Sequence, residues 1–243
     1  MKVLAVESSA MVAAAAVIDE ERLMGEYTLN HRKTHSQKLM PLIEELLDSL
    51  ELTLMDIDVL AVSKGPGSFT GLRIGISTVK GLAQAANKPV IGIPTLDSLA
   101  YNLACSKGII CPIMDARREQ VYTSIYRWNS AIRNNAKGNL ERLDEYMAVP
   151  IVELLQKLKG YKEPVVFNGD GVPVYREIIL KELGERASFA PPSAAMQRAG
   201  SLAVLALEKA QKGQTEGYND LVPFYLRKSQ AEQRYDSLEK GEV

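Results

Sequence analysis

The stretch Lys64-Gly65-Pro66-Gly67-Ser68-Phe69-Thr70-Gly71-Leu72-Arg73-Ile74-Gly75 decides the fold of this 243-residue chain. An apolar run at 57–62 leads into it and indicates a buried strand, and 72–86 leads out of it with a helical pattern. Because glycine tolerates positive φ and proline fixes φ, we expect a sharp strand-to-helix turn here. Ser68 or Thr70 can cap the helix, whose amide-rich start is able to accept an anion.

This glycine turn differs from two common phosphate-binding loops. A dinucleotide fingerprint needs glycine where Thr70 stands, and a P-loop ends in Gly-Lys-Ser/Thr. The helix that follows carries Gly71, Gly75 and Thr78 on one face. Such a bare face predicts either tight packing within the chain or a surface for a ligand or partner, and the sequence leaves both open.

Composition and charge narrow the class of protein. The chain is 46% hydrophobic and 24% charged with a net charge of −1, which is typical of a globular protein without a strong overall field for nucleic acid. Cys105 and Cys111 make no disulfide framework, so we expect reduced thiols in the cytoplasm. The start has no signal-peptide layout, and no apolar run approaches the roughly 20 residues that span a membrane.

The order of elements predicts two similar halves. In the first half, three strands within 3–29 precede a helix, the glycine turn with its helix, a further strand and a last helix. The second half repeats this plan from about residue 109. A meander followed by βα crossovers gives a mixed sheet with helices on both faces. We therefore expect a first lobe at 1–106, completed by a helix at 193–212, a second lobe at 107–192, and an extension at 213–243 with a mobile end.

Several motifs along the whole chain resemble one family. They are Leu4-Ala5-Val6-Glu7-Ser8-Ser9, Thr34-His35-Ser36-Gln37-Lys38-Leu39-Met40-Pro41, the glycine turn, Asp115-Ala116-Arg117 with Val121-Tyr122, and Tyr225-Leu226-Arg227. Together they look like the bacterial TsaB (YeaZ) family. The resemblance implies an α/β fold of the actin/Hsp70/sugar-kinase (ASKHA) class, with two related lobes that each hold a mixed sheet flanked by helices.

The resemblance also implies a function in tRNA modification. Family members support formation of N6-threonylcarbamoyladenosine (t6A) at position 37 of tRNA as non-catalytic subunits that dock to the transferase TsaD and recruit the ATPase TsaE. It implies that the chain has no cofactor of its own and binds nucleotide weakly at most. It also implies that the complex uses ATP and that tRNA is contacted through the complex. Glu7 stands where an aspartate is more usual, which puts an ancestral nucleotide role in doubt.

Two neighbouring helices are candidates for the partner interface. The candidate residues are His35, Leu39, Leu42, Ile43, Leu46, Gly71, Gly75 and Thr78. The apolar positions of the 36–50 helix fit either a helix lying on its own sheet or one that also faces a partner. Under the second interpretation, Leu42→Glu or Ile43→Glu abolishes TsaD binding and leaves the fold intact. An exposed docking face also predicts a homodimer of the lone chain.

The remaining candidates concern anion and metal sites. Glu7, Ser8, Ser9, Arg117 and Gly169 are candidate vestigial nucleotide or anion contacts. Arg117, on a turn with Asp115 and Arg118, fits a phosphate contact or a salt bridge, and Gly169 fits a nucleotide-gripping turn or a plain turn.

His31 and His35 have the i, i+4 spacing of a zinc pair, as TsaD uses, but no glutamate stands beside the first histidine and a third ligand is missing. We therefore predict no metal.

Two other function classes stay open from the sequence. An ATP-dependent kinase or phosphotransferase of the same fold would bind ATP–Mg²⁺ tightly and place a general-base aspartate in the cleft. A peptidase would need a triad or a zinc signature, and the serine-hydrolase motif Gly-x-Ser-x-Gly does not occur.

Overall fold

The computed structural model describes residues 1–30, 35–130 and 138–227. The elements of the first half are β1 (Val3–Glu7), β2 (Val12–Ile18), β3 (Leu23–Asn30), α1 (His35–Ser49), β4 (Val59–Gly65), α2 (Phe69–Ala86), β5 (Val90–Pro94) and α3 (Thr95–Tyr101). Those of the second half are β6 (Ile109–Asp115), β7 (Gln120–Thr123), β8 (Tyr126–Asn129), β9 (Asn139–Arg142), β10 (Met147–Pro150), α4 (Ile151–Leu158), β11 (Val165–Asn168), α5 (Val172–Leu183), β12 (Ala187–Phe189) and α6 (Ala199–Gln211).

The two sheets share one topology. The first has five strands in the order β3-β2-β1-β4-β5. The second has seven, of which five follow the order β10-β7-β6-β11-β12, while β8 pairs with β6 and β9 pairs with β8. In each sheet the first two pairings are antiparallel and the last two are parallel. The repeated element order therefore reflects a repeated fold, although no repeat is visible residue by residue.

The helices cover both faces of both sheets. On the first sheet, α1 and α2 pack on the face of Leu4 and Val62, and α6 packs on the opposite face against Ala5. On the second sheet, α4 and α5 cover one face, and α3 covers the other near Met114. The last helix in the chain thus packs on the first sheet. This is the architecture of the actin/Hsp70/sugar-kinase class, and it confirms the predicted fold class.

Three details of the second half differ from the sequence predictions. The strand expected at 120–128 is two strands, which pair with β6 on either side of Pro112, a residue that has no N–H to donate to a ladder. The strand expected at 140–147 is likewise divided between β9 and β10. The helix expected from Ser193 begins only at Ala199, because Pro192–Ala194 forms a separate 3₁₀ turn and Arg198 is extended. Strand β12 was not predicted.

Candidate functional site

The glycine turn is joined to the first turn of the chain by direct hydrogen bonds. Ser68 caps α2 by accepting a bond from the N–H of Gly71 at 3.2 Å, as predicted. The N–H of Ser68 donates to the carbonyl of Ser9 at 2.7 Å, and the Ser8 hydroxyl donates to the carbonyl of Gly71 at 2.9 Å. The Ser8–Ser9 turn therefore lies directly against the start of α2.

This contact explains the bare face of α2. A Cβ atom at Gly71 would overlap the carbonyl oxygen of Ser8, and one at Gly75 would overlap the Ser8 hydroxyl. Both glycines are buried, and Thr78 is half-buried. Of the two interpretations left open by the sequence, the structure favours tight packing within the chain, and the prediction that Gly71 and Gly75 are open to a partner is wrong.

Glu7 lies beneath this turn as a fully buried carboxyl group. Its Oε1 accepts the N–H of Ser9 at 2.6 Å and the hydroxyl of Ser63 at 2.9 Å, whereas its Oε2 has no partner among the described residues. Burial raises the pKa of Glu7, and the hydrogen bonds from Ser9 and Ser63 oppose this rise. The Glu7 carboxyl group therefore takes part in the packing of the first turn.

A C-terminal segment, residues 221–227, runs across the glycine turn, and we call it the strap. The N–H of Phe224 donates to the carbonyl of Lys64 at 2.6 Å. The Tyr225 ring stacks on Phe69 with the ring centroids 4.5 Å apart, and its hydroxyl accepts a bond from Arg73 at 3.2 Å. The strap therefore covers the outer side of the glycine turn.

The same strap reaches the second lobe. Phe224 meets the ring of Tyr146 edge-on at 5.4 Å between centroids, and Arg227 donates to the carbonyl of Ala116 at 3.3 Å. Leu226 packs into the cluster that joins α3 to the second sheet. Residues 221–227 thus connect the glycine turn with the turn that follows β6.

The second-lobe candidates form tight turns. Arg117 is exposed with a positive φ of 62°, and its N–H donates to Asp115 Oδ1 at 2.9 Å. Gly169 has φ 103°, and a Cβ atom there would overlap the carbonyl of Ile113, so the position requires glycine. No ion pair of Arg117 occurs among the described residues. These positions do not meet Glu7, Ser8 and Ser9 in a direct hydrogen bond in the described part of the chain.

The apolar residues of α1 face the chain's own sheet. Leu39, Leu42, Ile43 and Leu46 are between 1% and 9% exposed, because α1 lays its apolar stripe on the first sheet. The prediction that these side chains are open to a partner is therefore wrong. A glutamate at Leu42 or Ile43 would bury a charge and unfold the lobe, contrary to the expectation of an intact fold. The role of α1 as a docking helix stays a prediction.

A groove lies on the outer side of the same helix pair. We call it the α1–α2 groove, and its volume is about 350 Å³. It is lined by Met40, Ile43, Glu44, Leu47, Asp48, Leu52, Thr53, Leu54 and Leu82. At one end Met40 is 45% exposed. Next to Leu82, Gly81 is exposed, and a Cβ atom there would have nothing within 4 Å.

The sequence analysis named Thr78 but missed the other outward positions of these helices. Met40, Glu44 and Asp48 recur at four-residue spacing, which places them on one side of α1, and Ile74, Thr78 and Leu82 do the same on α2. The signal was present in the spacing, but the richer apolar stripe of Leu39 and Leu42 concealed it.

The histidine prediction lies largely outside the described residues. His31 and the basic residues Arg32 and Lys33 belong to the part that is not described, and so does the side chain of His35, which opens α1. Among the described residues, no three histidine, cysteine or acidic side chains come together as a metal site. Within the same residues, no helix is long and apolar enough to cross a membrane. The prediction of a mobile tail also falls outside the described residues.

Comparison with known proteins gives consistent matches along the chain. A family model described as TsaD, tRNA N6-adenosine threonylcarbamoyltransferase, matches residues 22–235. The tRNA threonylcarbamoyladenosine biosynthesis protein TsaB of Bacillus subtilis (strain 168) is 32% identical over 240 residues, which are 99% of this chain and 100% of that protein. TsaB of Escherichia coli (strain K12) is 31% identical over 163 residues, 66% of this chain and 68% of that protein.

Solved structures agree in fold. YeaZ from Pseudomonas aeruginosa superposes with a TM-score of 0.72 at 24% identity and covers 93% of this chain and 99% of its own. Another protein from the same organism, described as similar to peptidase YeaZ, gives a TM-score of 0.78, also at 24% identity, with 93% and 99% coverage. At this identity the two structures support the two-lobed fold alone.

Proposed function

The chain belongs to the TsaB (YeaZ) family of tRNA threonylcarbamoyladenosine biosynthesis proteins, and from this premise we propose that it is a non-catalytic subunit that docks to TsaD through its α1–α2 groove. We infer further that it helps to recruit TsaE, that tRNA is reached and ATP consumed through the complex, and that this work takes place in the cytoplasm. The match of the TsaD family model to residues 22–235 supports a related partner that carries a corresponding helix pair.

One observation carries the docking proposal, namely the open glycine beside the groove. Gly81 lies inside an 18-residue helix, where glycine costs about 1 kcal/mol relative to alanine. Unlike Gly71 and Gly75, it meets no neighbouring atom that would exclude a side chain. The next residue, Leu82, is half-buried and lines the groove together with the exposed Met40. A partly apolar groove with an exposed glycine beside it suits the close approach of a partner helix.

The alternative kinase function is less well supported by the geometry. The first-lobe candidates for a phosphate contact are engaged within the chain, because the Ser8 hydroxyl donates to the carbonyl of Gly71 and the carbonyl of Ser9 accepts the N–H of Ser68. The strap also crosses the outer side of the glycine turn. The absence of a cofactor of the chain's own stays a prediction, and calorimetric titration with ATP–Mg²⁺ tests it, because micromolar binding would favour the kinase.

The substitution Gly81→Arg tests the docking surface. We expect Gly81→Arg to raise the midpoint of thermal unfolding slightly, because arginine has the higher helix propensity and meets open space. We expect it at the same time to weaken TsaD binding by at least about tenfold, since a long charged side chain then stands beside the groove, where the partner helix would approach.

The matched control is Val174→Arg on α5, the helix that corresponds to α2 in the second lobe, where Val174 is 59% exposed. Isothermal titration calorimetry with purified TsaD compares the two variants. Equal affinity of Gly81→Arg and the unmodified chain would overturn docking through this groove.

A reconstituted reaction tests the role in modification. TsaD, TsaE, a threonylcarbamoyl donor, ATP and unmodified tRNA are combined with and without this chain, and t6A is measured by liquid chromatography. We expect t6A to form only when this chain is present, and no t6A from this chain without TsaD. Full activity in its absence would refute the accessory function.

A further inference from the structure

We propose that the strap, residues 221–227, is a latch between the two lobes. While it is closed it holds the lobes at one angle, and its local release lets them hinge while both stay folded. The latch works within the lone chain, so it does not depend on the proposed docking to TsaD, and no partner enters its test.

The glycine turn provides a seat that is shaped for the strap. Gly65, the last residue of β4, has φ 119°, and a Cβ atom there would overlap the carbonyl oxygen of Phe224. The N–H of Phe224 donates to the carbonyl of Lys64, so the two segments lie backbone against backbone. Glycine adopts this φ readily and also leaves room for the strap, which makes Gly65 part of the seat.

The two ends of the strap are anchored beside different sheets. Leu221 is fully buried in the cluster that α1 and α2 form with the first sheet. Leu226 packs against the cluster beside the second sheet, and Arg227 donates to the carbonyl of Ala116 in the turn between β6 and β7. The strap therefore crosses from the first lobe to the second.

This crossing adds a third link to two that the fold already has. The chain passes from the first sheet to the second between β5 and β6, and it returns between β12 and α6, which packs on the first sheet. Lobes that are joined by short connections commonly move relative to each other about hinges at the ends of elements. A third link between two turns restricts this motion, and its release leaves both sheets intact.

Phe224 is the residue through which the strap contacts both lobes at once. Its backbone is bonded to Lys64 of the first lobe, and its ring meets the ring of Tyr146 edge-on. The hydroxyl of Tyr146 donates to Asp97 on α3 at 2.9 Å, which fixes the ring that Phe224 contacts. Truncating Phe224 to alanine therefore removes a contact with the second lobe and leaves the backbone bond to the first.

The middle of the strap is exposed, which suits a latch that opens. Val222 is 63% and Tyr225 is 37% exposed, and Tyr225 is held by stacking on Phe69 and by the hydrogen bond from Arg73. Exposed segments with few buried contacts open locally at a lower free energy than the whole protein unfolds. We therefore expect the strap to open and close repeatedly while both sheets remain folded.

Distance measurements between the lobes test the latch. Spin labels are attached through Met55→Cys in the first lobe and Val174→Cys on α5, because these two positions are 66% and 59% exposed. The exposed Cys105 is replaced by serine in all proteins, whereas Cys111 is fully buried and stays unlabelled. In double electron–electron resonance we expect a narrow distance distribution with the native strap and one at least about twice as wide for Phe224→Ala, because release populates further lobe angles.

The matched control is Phe189→Ala, which also removes a half-buried ring from an aromatic pair but acts within the second lobe, beside Phe167. Its distance distribution should stay as narrow as that of the protein with the native strap. Thermal unfolding by circular dichroism verifies that the variants fold. A distribution for Phe224→Ala that is no wider than that of the control would overturn the latch. If Phe224→Ala does not fold, Tyr225→Ala takes its place with the same two outcomes, because Tyr225 is exposed.

Amide hydrogen exchange tests the local release. The N–H of Phe224 reports on the strap, and the N–H of Leu60, bonded to the carbonyl of Pro89 at 3.1 Å in the first sheet, reports on unfolding of the lobe. In exchange followed by nuclear magnetic resonance on the unmodified chain, we expect the Phe224 amide to exchange at least about a hundredfold faster than the Leu60 amide after correction for intrinsic rates. Equal protection of the two amides would mean that the strap leaves only when the lobe unfolds, and it would contradict a latch.

Discussion

Asp170 is a half-buried carboxyl group that lies beside a second one, Asp115. Burial raises the pKa of Asp170 to about 6, the hydrogen bond from the N–H of Asp115 opposes this rise, and the charge of Asp115 adds to it. The distance from the backbone nitrogen of Asp115 to Oδ1 of Asp170 is 3.2 Å. Because the pKa in the folded chain lies above the ordinary value of 3.8, the folded state favours the protonated acid.

We expect Asp170→Asn to stabilise the protein in a pH-dependent way. The destabilisation by Asp170 is absent below about pH 4, grows as the pH rises toward about 6 and is constant above it, where it reaches at most about 3 kcal/mol. Asparagine keeps the acceptor oxygen and carries no charge. The measurement is the free energy of unfolding in urea between pH 4 and pH 8 for both proteins, and a constant difference across this range would contradict the expectation.

Asp56, an exposed aspartate whose pKa is lowered instead of raised, supplies the control. Hydrogen bonds from the hydroxyl and the N–H of Thr53 lower the pKa of Asp56. Asp56→Asn is therefore expected to lose stability as the pH rises through the range where Asp56 ionises, the reverse of Asp170→Asn.

The glycines of α2 illustrate what the sequence predicts at the scale of residues. Helical spacing placed Gly71 and Gly75 on one face, and the structure confirms that the face is a close contact. The contacting atoms belong to Ser8, which lies more than sixty residues away in the sequence. Spacing alone therefore did not distinguish a contact within the chain from a contact with a partner. Gly81 was not predicted as a candidate from the sequence, because no second glycine lies with it on the outer face of α2.

At the scale of elements, local signals predicted the first lobe better than the second. The β4–α2 junction carries its own turn chemistry and a capping serine, so its position could be predicted. The division between β7 and β8 lies opposite Pro112 of the neighbouring strand β6, so no pattern within 120–128 indicates it. The strap was not predicted either, because its contacts with Lys64, Phe69 and Ala116 all join distant parts of the sequence.

We expect Phe69 and Tyr225 to be energetically coupled, because their rings stack at 4.5 Å with an interplanar angle of 19°. In a double-mutant cycle of Phe69→Ala and Tyr225→Ala, the coupling free energy is expected to be about 0.5–1.5 kcal/mol, as for other aromatic pairs. Urea unfolding of the four proteins gives the value. A cycle of Phe69→Ala with Phe189→Ala in the second lobe is the control, and its two effects should add to within about 0.5 kcal/mol. Additive effects for the stacked pair would mean that the strap does not hold the glycine turn.

At the scale of the whole molecule, the two lobes are interlocked by their last helices. Helix α6 follows the second sheet in the chain but packs on the first, where Ala203 and Ala206 lie against the small residues of β1 and β2. Helix α3 follows the first sheet and packs on the second. Element order predicted two similar lobes and a helix at 193–212 that completes the first one, whereas the packing of α3 on the second sheet was not predicted. The lobe boundaries at 106 and 192 stay a prediction.

This interlocking predicts that residues 1–106 do not fold alone. Without α6, one face of the first sheet exposes a continuous apolar surface that includes Val3, Ala5 and Ala16, all fully buried in the whole chain. A sheet with one uncovered apolar face lacks the burial that a lobe of this size needs. We therefore expect the fragment to show no cooperative thermal transition in circular dichroism. Fusing residues 192–212 to its end through a flexible glycine-serine linker is expected to restore the transition, because the fusion returns the helix and no other part of the second lobe. A cooperative transition of the unfused fragment would show that α1 and α2 suffice to stabilise the first sheet.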